Sequence, residues 1–203
     1  MANIDKNSLY NIGYGLYVVT CNDGTKDNGL ILNSVMQLTS TPLTVAVSIS
    51  KENYSYEVIK NSLTLNVNCL TEDTPFEVFK HYGFQSGKTV NKFENTTFPR
   101  TENGLIYLTE HVNSVMSLKV TNLIDMGSHG LFICEVTESI VFNKEPSVTY
   151  AYYHKAIKPG VAKKQSISGY VCKICGYFHN DSVLPDDFIC PICKHGASDF
   201  EKL

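Results

Sequence analysis

Apolar and polar residues alternate with a period of two along most of the chain from Gly13 to about Asn143, the spacing that sends successive side chains to opposite faces of a strand. In Thr44 to Ser50, Val45, Val47 and Ile49 point one way while Thr44, Ala46, Ser48 and Ser50 point the other, so one face is core and the other is open to a ligand. The same alternation sets Leu63, Leu65, Val67 and Cys69 against Thr64, Asn66 and Asn68, and Met116, Leu118 and Val120 against Ser117, Lys119 and Thr121. Further strands are predicted at Gly15 to Cys21, Gly29 to Val35, Leu105 to Thr109 and Leu131 to Phe142, with Asp23-Gly24 as a hairpin turn between the first two. Two helices are predicted. Asn53 caps one running through Tyr56, Val58 and Ile59, and Thr74 with Pro75 and Glu77 reads as a capping box for another ending near Gly83. Many short strands without a βαβ rhythm imply a mainly β fold, an antiparallel barrel, and no G-x-G-x-x-G follows a strand to support a Rossmann nucleotide site.

The alternation stops after Tyr150-Ala151-Tyr152-Tyr153. Lys155 to Ser168 holds four lysines, Pro159 and Gly160 without apolar periodicity, which reads as a linker. The expected division is a barrel over 1–155, a linker over 156–168 and a small domain over 169–203, too short to build a stable core without a cross-link or metal. A length of 203 residues with 43% hydrophobic content allows one main core plus this appendage. A net charge of -3 argues against a phosphate-binding surface, so no nucleic-acid partner is expected. Met1 to Tyr10 has no basic segment leading into an apolar one, and no stretch is long and apolar enough to span a bilayer. A cytoplasmic protein without a membrane partner is expected.

Seven cysteines would suit a secreted disulfide scaffold, but the number is odd and four fall in two C-x-x-C pairs, Cys172/Cys175 and Cys190/Cys193. Two such pairs, fourteen residues apart, let two loops present four thiolates to one tetrahedral centre, which takes zinc or iron. Cys21, Cys69 and Cys134 lie in apolar runs and read as buried small hydrophobes. A zinc ribbon docking on nucleic acid would carry basic residues around its knuckle. Here Gly169 to Leu203 has three lysines against five carboxylates (Asp181, Asp186, Asp187, Asp199, Glu201).

Tyr170-Val171-Cys172-Lys173-Ile174-Cys175-Gly176-Tyr177 and Leu184-Pro185-Asp186-Asp187-Phe188-Ile189-Cys190-Pro191-Ile192-Cys193 closely resemble the two halves of rubredoxin. The resemblance implies one iron ion cycling between ferric and ferrous states, with Tyr170, Tyr177, Phe188 and Phe200 keeping the site dry. The stretch between the pairs is shorter than the family pattern and lacks its tryptophan, which leaves zinc as the alternative.

Gly29 to Ser34 through Thr39-Ser40-Thr41-Pro42, then Val45 to Lys51 and Val67-Asn68, resemble the flavin reductase family, an FMN-binding split barrel. Gly127-Ser128-His129-Gly130-Leu131-Phe132 and Thr149 to Tyr153 resemble its later landmarks. The resemblance implies that Asn33, Ser34 and Thr39 border the isoalloxazine and ribityl chain, and that Ser48, Lys51 and Asn53 reach the ribityl or phosphate; Asn68 joins this cofactor-binding set. Ser86-Gly87-Lys88 and Lys92 resemble a phosphate loop of flavoredoxin-type proteins, and His129 matches a family histidine at the flavin edge where nicotinamide approaches. Ser128 stands where the family pattern has an acidic residue. Read without the family, Asn33, Ser34 and Asn68 are solvent-facing strand residues, Lys88 and Lys92 are surface charges, and His129 is a turn residue.

The pairing of such a barrel with a rubredoxin tail resembles the fusion class of high-molecular-weight rubredoxins. It implies electron transfer from NADH, or NADPH, through FMN to iron and on to a flavodiiron protein that reduces oxygen or nitric oxide in an anaerobe. The family's barrels are homodimers. No acid or nucleophile is needed, so no catalytic side chain is named. Two other readings stay open: a flavoredoxin-like shuttle reduced by another protein, and an FMN-binding barrel with a structural zinc ribbon.

Overall fold

The computed structural model describes residues 5–94, 96–159, 169–174, 177–181, 183–191 and 193–202. Seven strands form one sheet: β1 (Tyr17–Asn22), β2 (Asp27–Leu32), β3 (Val35–Ser40), β4 (Leu43–Ser50), β5 (Thr64–Leu70), β6 (Val112–Asp125) and β7 (His129–Val141). Every pairing is antiparallel, in the order β2-β1-β5-β6-β7-β4-β3. The two ends of the sheet, β2 and β3, are consecutive in the chain and meet at Asn33-Ser34. One core draws Val19, Leu30, Val47, Leu65, Leu118 and Phe132 from six different strands, so the sheet curls around it and forms the expected antiparallel barrel, split between β2 and β3. Cys21 and Cys134 lie in this core, where burial pushes both thiols up to about 12 and keeps them protonated.

Helix α1 (Tyr54–Ser62) adds Tyr56, Val58 and Ile59 to that core. As its sequence predicts, Asn53 caps it, the side-chain carbonyl accepting the Ser55 N–H at 3.0 Å. A second core lies behind β1, where Val18 faces away from Val19. Helix α2 (Phe76–Gly83) covers it with Phe79 and Tyr82, and α3 (Tyr150–Tyr152) leads into a π-helical turn, Tyr153–Ile157, that brings Tyr153. The predicted capping box does not form. Helix α2 starts one residue later, with Pro75 at its cap, and the Thr74 hydroxyl instead donates to the Thr71 carbonyl at 2.6 Å.

Two strand assignments differ from the sequence pattern. β3 goes unpredicted because its residues are largely exposed on a sheet edge, so burial imposes no alternation there. Leu105 to Thr109 makes no strand, only an isolated bridge between Arg100 and Ile106. Side chains hold this segment in place of a ladder. Asn66 donates to Leu105 O and Ile106 O, both at 3.2 Å, Thr20 donates to Ile106 O at 2.7 Å, and Asn68 accepts Leu108 N–H at 2.9 Å. The polar face of β5 therefore lies buried beneath this segment instead of facing solvent.

The tail is a three-stranded antiparallel sheet of β8 (Tyr170–Cys172), β9 (Phe178–His179) and β10 (Phe200–Lys202), in the order β10-β8-β9. Among its described residues, Cys172, Cys190 and Cys193 form the buried cluster, a core of sulfur, and Val171 is buried next to Cys172 on β8.

Candidate functional site

The tail brings three predicted ligands together. The Sγ atoms of Cys172, Cys190 and Cys193 lie within 4.8 Å of one another, and those of Cys172 and Cys193 are 3.5 Å apart. A tetrahedron of metal–sulfur bonds of about 2.3 Å spaces its sulfurs about 3.8 Å apart, so the thiols fit a shared centre of four sulfurs. Cys175, the fourth predicted ligand, lies outside the described residues. Local backbone geometry aims the sulfurs. Cys172 N–H donates to Tyr177 O and Cys190 N–H to His195 O, both at 2.8 Å, while Lys194, left-handed at φ 63°, donates its N–H to Cys190 O and closes the second knuckle. Tyr177 and Phe200 pack on the cysteines, and Phe188 stands behind them, edge-on to Phe200 at 5.3 Å. Tyr170 is not in that shell; its ring lies 5.9 Å from Lys202 Nζ.

Around β4 and β7 the structure gathers another group of predicted residues. Ser48 N–H donates to Ser34 O at 3.0 Å, which places the Asn33-Ser34 connection beside β4. Ser50 pairs with His129, and Lys51 N–H donates to Ser128 O at 3.0 Å, so the β6–β7 turn sits over the end of β4. Asn53 N–H donates to Ser50 O at 3.0 Å and begins α1, whose N-terminus points a partial positive charge at this corner. The Lys51 ammonium meets Asp125 at 2.6 Å, and this contact holds the Asp125 carboxyl below its usual range and the Lys51 ammonium above its own. Hydroxyls, an ammonium and a helix N-terminus make a donor set that fits a polyol phosphate such as the ribityl phosphate of a flavin.

The Ser86-Gly87-Lys88 loop reaches the same helix end through the core. Asn28 donates to Ser55 Oγ in the first turn of α1 at 2.6 Å, and a Cβ at Gly87 would fall 1.9 Å from the Asn28 side-chain oxygen, so the loop rests on Asn28 with no room for a side chain. Lys26 Nζ donates to Gly87 O at 2.6 Å. Lys92 turns inward instead: Nζ donates to Gly29 O at 2.6 Å and Tyr82 O at 2.8 Å, and burial lowers its pKa to about 8. Asn68 is likewise committed inside, donating to Val18 O at 2.9 Å and accepting from Leu108. Thr39 pairs with Thr44, at the far end of β4 from Ser48, and its hydroxyl bonds Pro42 O and Thr44 Oγ1.

A model of the flavin reductase like domain matches residues 9–160, and one of the rubrerythrin, rubredoxin-like domain matches residues 170–201. The chain belongs to the flavin reductase-like family. Over 98% of its length this flavin reductase-like chain is 31% identical to the high molecular weight rubredoxin of Moorella thermoacetica, all of which is covered. The ferric-chelate reductase (NAD(P)H) of Archaeoglobus fulgidus is 34% identical across 74% of the chain and 89% of that protein. Among solved structures, flavoredoxin from Methanosarcina acetivorans superposes with a TM-score of 0.61 at 17% identity, covering 70% of this chain and 78% of that one, which shows a shared fold. A flavin-binding oxidoreductase domain followed by a rubredoxin-like metal centre makes this a protein of flavin-dependent electron transfer.

Sequence reasoning missed two residues. Asp125, which engages Lys51 across 74 positions, has no local signal. Phe84, at the C-terminal cap of α2, packs against the cysteine cluster of the tail, and its only trace in the sequence is an aromatic opening the polar run Gln85 to Thr89. Beside it a cavity of about 880 Å³ lies between barrel and tail, bordered by Ile31, Gly83, Tyr150 and His154 on one side and Lys173 and Ile174 on the other. Burial, and after it the nearby Lys158 ammonium, lowers the His154 pKa.

Proposed function

We propose that the chain is an NAD(P)H-dependent flavo-rubredoxin oxidoreductase. In this reading FMN sits on the β4–β7 corner, one iron ion sits in Cys172, Cys175, Cys190 and Cys193, and electrons pass on to a flavodiiron-type oxygen or nitric oxide reductase. The observation that carries it is a set of buried thiols at metal-ligand spacing on the same chain as a flavin reductase-like barrel. A flavin takes two electrons from nicotinamide and releases them singly, whereas an iron held by four thiolates handles one at a time, so the pairing converts hydride chemistry into one-electron delivery.

The residues of the chain bind and orient. Asn33 and Ser34 border the ring, with Thr39 and Asn68 the more remote members of the predicted set. Ser48, Lys51, Asn53 and the Ser86-Gly87-Lys88 loop hold the ribityl phosphate, with Lys92 tying β2 to the end of α2 from inside. His129 stands at the edge where nicotinamide arrives. Tyr177 and Phe200 keep water from the sulfurs. The name of the Archaeoglobus relative supports NAD(P)H as donor. The working form proposed is a homodimer, which the exposed Met36 and Leu38 on edge strand β3 favour, and the setting proposed is the cytoplasm of an anaerobe.

The test is anaerobic stopped-flow mixing with NADH, followed at the flavin and iron–thiolate bands, with metal and flavin analysis of the same sample. The expected result is flavin bleaching followed by loss of the iron–thiolate colour. A flavin that NADH leaves oxidised would point to a shuttle reduced by another protein, and a zinc-loaded, colourless tail would end the electron-carrier reading.

A further inference from the structure

The cysteine cluster is buried although the tail that carries it is small. Cys172, Cys190 and Cys193 are 1%, 0% and 5% exposed, and the rings packed on them are Tyr177 and Phe200 from the tail and Phe84 from the barrel. Phe84 is held from behind. Its N–H closes α2 on Lys80 O at 3.1 Å, and its ring lies 5.9 Å from that of Phe76. A second contact comes from the start of the linker, Lys158 Nζ donating to Lys173 O of the tail at 3.3 Å. An aromatic ring followed by polar residues at the end of a helix finds its apolar cover against the sulfurs of the tail, and this burial favours the docked arrangement.

We propose that Phe84 is the seat on which the C-terminal knuckle docks against its own barrel: a positioning residue that closes the sulfur cluster to water and makes electron transfer from flavin to metal intramolecular. The electron-transfer half rests on the flavin-to-iron route proposed above. In that step one electron leaves the reduced flavin and the ferric centre becomes ferrous. No bond to the metal forms or breaks, a flavin proton goes to solvent, and the second electron follows once a one-electron acceptor protein has reoxidised the iron. Electron transfer weakens steeply with separation, and a knuckle seated on its own barrel through Phe84 is held at one fixed separation from the flavin of the same chain, which favours the cis route.

The experiment uses the full-length protein with its metal and flavin, comparing the native chain with Phe84→Ala and the conservative Phe84→Leu. Transfer of metal to an added chelator reports docking without any electron transfer, and Phe84→Ala is expected to lose metal about tenfold faster while Phe84→Leu stays near the native rate. In stopped flow, flavin reduction by NADH is expected to be unchanged in Phe84→Ala, while iron reduction slows about tenfold, at a rate independent of protein concentration in the native chain. Metal retention by Phe84→Ala equal to the native protein overturns the docking seat, and native iron reduction that scales with protein concentration overturns the cis route. Native iron that reduced flavin never reduces defeats the flavin-to-iron route, and chelator transfer then still decides whether Phe84 seats the knuckle.

Discussion

The barrel and the tail are stabilised by different physics. The barrel encloses two apolar cores supplied by seven strands and three helices, and any one of its side chains is a small part of the whole. The described core of the tail is three cysteines with a few half-buried rings around them, so the fold of that region is set by its sulfurs and what they bind. This difference ranks the ways to perturb the molecule. Stripping the metal, or substituting Cys190→Ser, is expected to unfold the tail altogether while the barrel keeps its unfolding midpoint, because binding free energy of roughly 10–16 kcal/mol at a structural thiolate site is folding free energy. Amide hydrogen exchange resolves the two regions. A tail that keeps its protection without metal, or a barrel that melts along with it, breaks the contrast.

The complementary change lies in the barrel. Phe132 is fully buried, with its ring 5.6 Å from that of Tyr56. Phe132→Ala is expected to cost about 3–5 kcal/mol in urea unfolding of the barrel, leaving the iron–thiolate spectrum of the tail unaltered. A shifted metal spectrum in the folded variant would show the two regions to be one cooperative unit.

What was legible in the sequence follows the same division. The strands of the barrel could be read where one face is buried and the other not, as in β4, whose Val45, Val47 and Ile49 enter the core. Reading failed where alternation had another cause. β3 is exposed along nearly its whole length, and the polar face of β5 is satisfied by the 101–108 segment, which no local pattern announces. The metal site was legible because its ligands are set by short local spacings, and three of the four converge as those spacings require. The corner proposed for the flavin was reached only through family resemblance, since Ser34, Ser48 and His129 are brought to it by pairing of strands distant in the chain. The partner of Lys51, Asp125, and the seat of the knuckle, Phe84, join residues tens of positions apart and carry no spacing signal at all.

Lys92 sharpens the barrel side further, because a charge in a packed core is costly unless bonded. Lys92→Ala leaves the carbonyls of Gly29 and Tyr82 without their donor and is expected to cost about 2–4 kcal/mol, again without touching the tail. Its pH dependence has a definite sign. Burial lowers the folded pKa from 10.5 to about 8, so below about pH 8 both states hold the proton and the cost of the buried charge is present in full. Between the two values the unfolded chain binds more protons than the folded one, and stability contributed at this position rises with pH. Barrel stability of the native chain measured against Lys92→Met should therefore gain on the variant from pH 8 upward. A constant gap would mean that the ammonium is not desolvated as its two carbonyl partners imply.

The smallest effect on folding is expected at the corner proposed to hold the flavin phosphate. Lys51 and Asp125 form an exposed pair, and exposed pairs add little to stability, so Lys51→Ala should leave the unfolding curve of the flavin-free barrel within error of the native one. Its consequence is expected in binding. Removing one charge-assisted bond to a phosphate should weaken FMN binding about tenfold, and the loss should shrink as salt is added. Riboflavin, which lacks the phosphate, should bind both proteins alike. Asp125→Asn provides the opposite control, because it frees the Lys51 ammonium from a competing carboxylate and should tighten FMN, not weaken it. If Lys51→Ala weakens riboflavin and FMN equally, the ammonium does not meet the phosphate, and the anion would have to be held by the α1 N-terminus and the Ser86-Gly87-Lys88 loop alone.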